Sequence, residues 1–252
     1  MADNWTRRVS LVIMLIDDMT DKVITDAARV WIEGQPACIR KAEGYYVFTN
    51  LTGERASVRI RHGMYEPKTV ELPVPKVEEP YVLRMVRMTP GRGLRLPAGA
   101  GCVEGKAEPG SRILLFGRPG DKGLKLLYDY DRKAGRHISI YHPPDMQLEG
   151  KLLRMVEKNG SAAENFRILS KEEDGYVLEE PLKRSYKKME TTIYPVYEAQ
   201  ADERGRFFLP VGRLGAASAV FCCQALGKRQ IEREITLEKG AVVKADLLQE
   251  EE

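Results

Sequence analysis

The chain contains three histidines, His62, His137 and His142. His137 and His142, with Asp145 in His142-Pro143-Pro144-Asp145, are residue types that could ligate a transition metal. An i, i+5 spacing on a strand sends the two rings to opposite faces, and no further ligand stands nearby. The expectation is a surface loop stiffened by two prolines. Asp17, Asp18 and Asp21, with Asp26 close behind, supply the oxygens that calcium takes. Converging carbonyls are also needed for such a site, so a solvated turn is the simpler expectation. Lys183-Arg184-Ser185-Tyr186-Lys187-Lys188 is the most basic run, and its interleaved tyrosine could meet nucleic acid or an acidic partner. Glu179, Glu180 and Glu190 flank it, which fits a solvated hairpin tip better. No His-Glu-x-x-His, Gly-x-Ser-x-Gly or Walker sequence occurs. No catalytic residue, metal or cofactor is expected.

The elements that must position these residues are strands. Val9 to Ile16 is an apolar run, too short to span a membrane and followed by Asp17-Asp18 rather than a cleavage site. It reads as a buried first strand, in a protein made and folded in the cytoplasm. Ala28–Ile32, Cys38–Arg40, Tyr45–Thr49, Arg55–Arg61, Lys68–Leu72 and Tyr81–Met88 alternate or cluster apolar residues between turn signals. Such spacing predicts a β-sandwich. On the fourth of these strands, Tyr46 and Phe48 share one face. On the next, Ala56, Val58 and Ile60 point inward.

Thr89 to Gly101 is rich in proline and glycine and reads as a linker. Beyond it the first pattern returns. Glu43-Gly44-Tyr45-Tyr46-Val47-Phe48 aligns with Arg204-Gly205-Arg206-Phe207-Phe208-Leu209, and the strands after each also correspond. These are Ala56–Arg61 with Ala217–Ala225, Thr69–Leu72 with Glu234–Leu237, and Tyr81–Met88 with Ala241–Leu248. The predicted organisation is all-β: a β-sandwich module over 1–90, a linker over 91–101, and a second module over 102–117 plus 195–252. Residues 118–194 form an inserted β-rich subdomain, expected to fold as its own small barrel or sheet. Within it, Leu124–Tyr128 and His137–Tyr141 predict a hairpin, Asn159-Gly160 a tight turn, and Ser161–Glu164 a short helical turn.

With 40 basic and 37 acidic residues the net charge is +3, and neither 1–90 nor 117–195 is a basic segment. Nucleic-acid binding through a charged face is disfavoured. Cys38, Cys102, Cys222 and Cys223 lack the spacing of a zinc site and read as structural thiols.

The first module resembles the carboxypeptidase regulatory-like, or transthyretin-like, β-sandwich family. The resemblance rests on Glu43-Gly44-Tyr45-Tyr46-Val47-Phe48-Thr49-Asn50-Leu51, the Gly53 turn, Ser57–Arg61 and Gly63-Met64-Tyr65. The second module keeps Gly205, Phe207 and Phe208 but lacks the later Gly-Tyr-like turn. The resemblance implies Ig-like or transthyretin-like sandwiches in a non-catalytic accessory role. It also implies similarity to accessory pieces of phage-tail-like or contractile injection particles, which are assembled in the cytoplasm before release.

The expected function is therefore a structural or adaptor component whose partners are other proteins of an assembly. The alternative is a module that binds a glycan or another surface polymer, and a third reading is an enzyme with its site in the insertion. Candidate contact residues are Trp5, Tyr128, Tyr130, Tyr141, Lys183, Arg184, Tyr186, Lys187 and Lys188. Specificity is expected where the repeat breaks, within 118–194.

Overall fold

The structure, a computed structural model, describes residues 7–118, 121–160, 162–212, 214 and 216–248. Trp5 lies outside them. The described residues form strands and two 3-10 turns, so the fold is all-β. The chain divides into two compact units, Met1–Leu94 and Arg95–Glu252.

The first unit contains β1 (Val9–Asp17), β2 (Arg29–Ile32), β3 (Ile39–Arg40), β4 (Tyr45–Thr49), β5 (Arg55–His62), β6 (Tyr65–Pro73) and β7 (Val82–Met88). One sheet has the order β3-β4-β1-β7 and the other β2-β5-β6. β1 is central, antiparallel to β4 and parallel to β7. Alternation decides which side chains enter the core. Tyr46 and Phe48 from one sheet meet Val30, Ala56, Val58 and Ile60 from the other, all buried in one cluster. The Tyr46 hydroxyl also accepts from the Ala28 amide at 2.9 Å.

The acidic turn after β1 is not simply solvated. Asp17 Oδ1 accepts from the amides of Met19 and Thr20, and its Oδ2 accepts from the Tyr65 hydroxyl. Asp18 and Asp21 lie 3.3 and 2.6 Å from Arg87 Nη1, whose side chain is only 3% exposed. These carboxylates thus neutralise a guanidinium that β7 carries indoors, which corrects the expectation of a plain turn.

The second unit contains β8 (Gly101–Lys106), β9 (Arg112–Gly117), β10 (Lys125–Leu126), β11 (His137–Ile138), β12 (Ile140–Tyr141), β13 (Leu152–Glu157), β14 (Ala163–Glu172) and β15 (Gly175–Leu178). β16 (Thr191–Gln200), β17 (Arg206–Val211), β18 (Ser218–Leu226), β19 (Gln230–Glu238) and β20 (Val242–Asp246) complete it. Its pairing repeats that of the first unit. β8 is antiparallel to β17 and parallel to β20, as β1 is to β4 and β7. β9-β18-β19 matches β2-β5-β6. Every strand correspondence read from the sequence is present in this pairing. The insertion occupies the β9–β17 connection, the counterpart of the short β2–β4 connection.

The insertion has its own core, built on Leu126, Ile140, Leu153, Phe166, Leu178 and Tyr186. Apart from the two-stranded β10–β12 ladder its strands do not form a sheet of their own, contrary to expectation. β11-β15-β14-β13 continue through β16 into β9-β18-β19 as one eight-stranded sheet. The β10–β12 ladder and the β13–β14 hairpin at Asn159-Gly160 are as read. The helical turn is not: Ala163 and Glu164 open β14, and Ser161 lies outside the described residues. Because both faces of the sheet are covered near β9, Ile113 and Leu115 enter the sandwich core while Leu114 and Phe116 enter a separate cluster with Tyr194 and Val196. Arg154 places its guanidinium 4.5 Å from the centre of the Phe116 ring over that cluster.

Cys222 and Cys223 face opposite sides of β18, and both are buried, as is Cys102. Cys38 is half-buried, its thiol donating to the Val30 carbonyl at 3.2 Å. Burial pushes the Cys223 thiol up to about 12.

The glycines of the repeated turn have one task. Gly44 and Gly205 adopt φ of +87° and +73° ahead of β4 and β17. A Cβ at Gly205 would meet the Ala107 carbonyl oxygen at 2.3 Å, whereas one at Gly44 would meet a Val23 methyl at 3.0 Å and the Ile24 carbonyl oxygen at 3.1 Å. The left-handed conformation alone costs an L-residue about 1–2 kcal/mol. Gly205→Ala should therefore destabilise its unit by more than about 2 kcal/mol in urea unfolding, and by more than Gly44→Ala does. Gly34→Ala, also at positive φ but with open space, should show only the conformational part. Arg87→Leu should lower stability by about 3 kcal/mol, since it strands two partly buried carboxylates. Asp26→Asn, at an exposed position of the same loop, should change it by less than about 0.5 kcal/mol.

Candidate functional site

The insertion folds residues 128–131 against 185–188. Tyr130 and Tyr186 exchange backbone hydrogen bonds at 2.9 and 2.8 Å. This brings the aromatic segment after β10 beside the basic run. Carboxylates of the first segment then engage the second. Asp129 accepts from Lys187 Nζ at 2.9 Å and from the Lys188 amide at 2.8 Å, while Asp131 accepts from the Ser185 hydroxyl. From β14, Glu164 accepts from the Lys183 amide and from the Tyr186 hydroxyl. The run is therefore stapled to three acids, through one ammonium, two main-chain amides and the Ser185 hydroxyl. The Lys188 amide, more than the Lys187 ammonium, holds the Asp129 carboxyl below its ordinary range, and Asp129 in turn raises Lys187.

A cleft of about 240 Å³ opens beside this junction. Tyr128 forms one wall and is 72% exposed. Tyr130 and Tyr176, both buried, form its floor. Tyr130 donates to the Gly135 carbonyl and accepts from the Leu182 amide, and the Tyr176 hydroxyl lies 2.6 Å from His142 Nε2. Asp129 and Asp131 line it from the segment after β10, and Glu172 and Asp174 from the β14–β15 turn. His137 Nδ1 is 3.3 Å from Glu172 Oε2. The two candidate metal-ligating histidines thus have partners on β14 and β15. Among the described residues no group of three or more His, Cys, Asp or Glu side chains is placed to hold a metal.

A larger concavity of about 540 Å³ lies between Arg112, Leu152, Glu164, Arg167, Glu179 and Lys183. Its charges are matched internally. Glu198 bridges Arg112 at 2.7 Å and Arg167 at 2.5 Å, joining the insertion to the sandwich sheet, and Glu179 is 3.7 Å from Arg167. The smaller cleft, with its excess of carboxylates, is the better candidate site.

The sequence-derived contact residues divide accordingly. Tyr128 and Tyr130 line the cleft, and Lys187 and Lys188 border it through Asp129. Tyr130 and Tyr186 are 3% and 1% exposed, so they are structural rather than available to a partner. Their alternation with charged residues is that of a strand whose aromatic face looks inward. Tyr141 is 67% exposed but lies opposite Lys125 on the β10–β12 ladder, outside the cleft. Arg184 is exposed, and Lys183 lines the larger concavity. Asp129, Asp131, Glu172 and Asp174 were missed because they come from separate segments. The available signals were the Asp129-Tyr130-Asp131 alternation and the Glu172-Glu173-Asp174-Gly175 turn.

No protein-family profile matches the chain, and no curated protein matches it. Among solved structures it is similar to the Bacillus anthracis TIE protein, with 12% identity and a TM-score of 0.28, covering 98% of this chain and 52% of that one. It is also similar to the shaft pilin SpaA of Lactobacillus rhamnosus GG, with 9% identity and a TM-score of 0.21, covering 98% and 100% of the two chains. The chain spans about half the length of the TIE structure. The β-sandwich assignment rests on the strand pairing and shared cores described above. No helix of the described residues is long and apolar enough to cross a membrane.

Burial, reinforced by Glu164, pushes the Tyr186 phenol from 10.0 to about 12. A proton held more tightly in the folded state contributes stability that is complete below pH 10 and lost as the pH rises through 12. Cys223 acts in the same direction. Urea midpoints should thus hold level up to about pH 9 and decline above it, and Tyr186→Phe should make the alkaline decline shallower.

Proposed function

We propose that the protein is a non-enzymatic structural or adaptor component of a larger protein assembly, made and folded in the cytoplasm. The two sandwiches serve as its frame and the insertion as its recognising part. The observation that carries this reading is the interrupted repeat. Two units share one pairing scheme, and one connection of the second has grown into a segment with its own core, an exposed tyrosine and a cleft. Frame residues answer to packing, whereas an exposed aromatic on a rigid support answers to a partner. The finer placement is in a phage-tail-like or contractile injection particle, as an accessory protein built from carboxypeptidase regulatory-like modules. The support for it is the resemblance of residues 43–65 to those modules. Nucleic acid is not the proposed partner, because the chain has no basic segment and Lys187 of the basic run is already paired with Asp129.

Sedimentation of native lysate tests the reading. The chain should travel with a high-mass particle containing sheath and tube proteins and should dissociate only when the particle is disrupted. Recovery solely as a free chain would refute it.

A glycan-binding role is favoured by one observation, the exposure of Tyr128 and Tyr141 at 72% and 67%. Retention on immobilised polysaccharide, lost in Tyr128→Ala or Tyr141→Ala, would support that role over the first.

A further inference from the structure

The cleft beside Tyr128 is lined by more acids than bases. Four carboxylates, Asp129, Asp131, Glu172 and Asp174, line it against one imidazole, in a chain whose net charge is +3. Three of the four are partly engaged, by Lys187, by Ser185 and by His137. The Asp174 carboxylate has no hydrogen bond or ion pair among the described residues; only its main-chain carbonyl is bonded, accepting from the Ser139 hydroxyl. The exposed ring of Tyr128 lines the same cleft.

We propose that this cleft is a docking pocket for one cationic side chain, an arginine, presented by a partner protein. The inference rests on the adaptor reading above and names the chemistry of its contact. A guanidinium is flat, always charged and weakly hydrated, so it can stack on the Tyr128 ring while its N–H fork reaches Asp174 and Glu172. The size agrees. At about 240 Å³ the cleft falls below the roughly 300 Å³ at which small-molecule sites begin, yet it can admit a single side chain.

Other ligand classes fit less well. An anion would meet four like charges. A neutral sugar would desolvate the carboxylates without a compensating charge. A bare cation would need converging oxygens, and among the described residues no three metal-ligating side chains come together.

The cleft is also held in shape before any partner arrives. The Tyr130 hydroxyl is fixed by Gly135 and Leu182, and that of Tyr176 by His142. At Gly175 a Cβ would sit 2.6 Å from the Ile138 carbonyl oxygen, so the β14–β15 turn can pack this closely only with glycine. Little ordering is left for binding to impose.

The test is an NMR titration of the full chain with Nα-acetyl-L-arginine methylamide, with the neutral citrulline analogue and a chito-oligosaccharide as parallel probes. Saturable shifts are expected at the Tyr128, Ser139 and Gly175 amides, with a dissociation constant in the millimolar range. The citrulline analogue should bind roughly tenfold more weakly, the loss of about 1.4 kcal/mol expected for one charge-assisted contact. Asp174→Asn and Tyr128→Ala should each weaken arginine binding severalfold. Both positions are exposed, and an unchanged melting temperature would show that the variants fold. The proposal is overturned by equal binding of citrulline, by shifts elsewhere, by no saturable shift, or by preference for the oligosaccharide. Co-sedimentation with an assembly but no arginine binding would refute the pocket and leave the adaptor reading standing. Arginine binding by a chain found only free would do the reverse.

Discussion

Strand Thr191–Gln200 is hydrogen-bonded to two different parts of its unit along its length. Residues 191–195 pair with β13 of the insertion, and residues 196–200 pair with β9 of the sandwich. Pro195, which has no amide to give, sits at the hand-over. Side chains of one face follow suit: Ile193 enters the insertion core, while Tyr197 and Ala199 pack against the sandwich core. The other face, with Tyr194 and Val196, joins Leu114, Phe116, Leu152 and Val156 in a third cluster. Because one strand serves both ladders, the insertion is a lateral extension of the sandwich sheet. Glu198, held between Arg112 and Arg167, reinforces the same joint with charge-assisted hydrogen bonds.

This joint governs what the insertion can offer. A loop grafted on flexible ends would present its aromatics in many orientations. Here Leu124 is bridged to Ile193 and Tyr130 to Tyr186, so the segment that carries Tyr128 is tied at both sides to the ladder system. The buried hydroxyls of Tyr130 and Tyr186 fix the Gly135 carbonyl, the Leu182 amide and the Glu164 carboxylate around them. The result is a small acidic cleft with one exposed ring, on connecting segments that are tied to the strands.

Much of the architecture was legible from the chain. Alternation at Arg55–Arg61 and the aromatic spacing at Tyr45–Thr49 report period-two burial, which needs no partner to be recognised. The likeness of Gly44 and Gly205 was equally visible, since a tight left-handed turn before a core strand leaves a glycine in the sequence. The engagement of Asp18 and Asp21 was not visible: their cation, Arg87, lies more than sixty residues away. Nor was the inward turn of Tyr186, because a tyrosine among lysines looks exposed until the opposing strand is known.

What the sequence determined by itself was therefore local and repetitive: the all-β character, the order of strands, the twin glycine turns and the place where the second copy is interrupted. These follow from side-chain period and backbone conformation within a few residues. Tertiary structure alone decided that the insertion shares a sheet with its host, that the basic run is pinned to Asp129, Asp131 and Glu164 mainly through main-chain amides and Ser185, and that Tyr128 lines a cleft with Asp129, Asp131, Glu172 and Asp174. Each of those depends on pairing between segments distant along the chain. Pairing of that kind is set by the summed fit of whole strands and cores, and it leaves no signature in any one stretch.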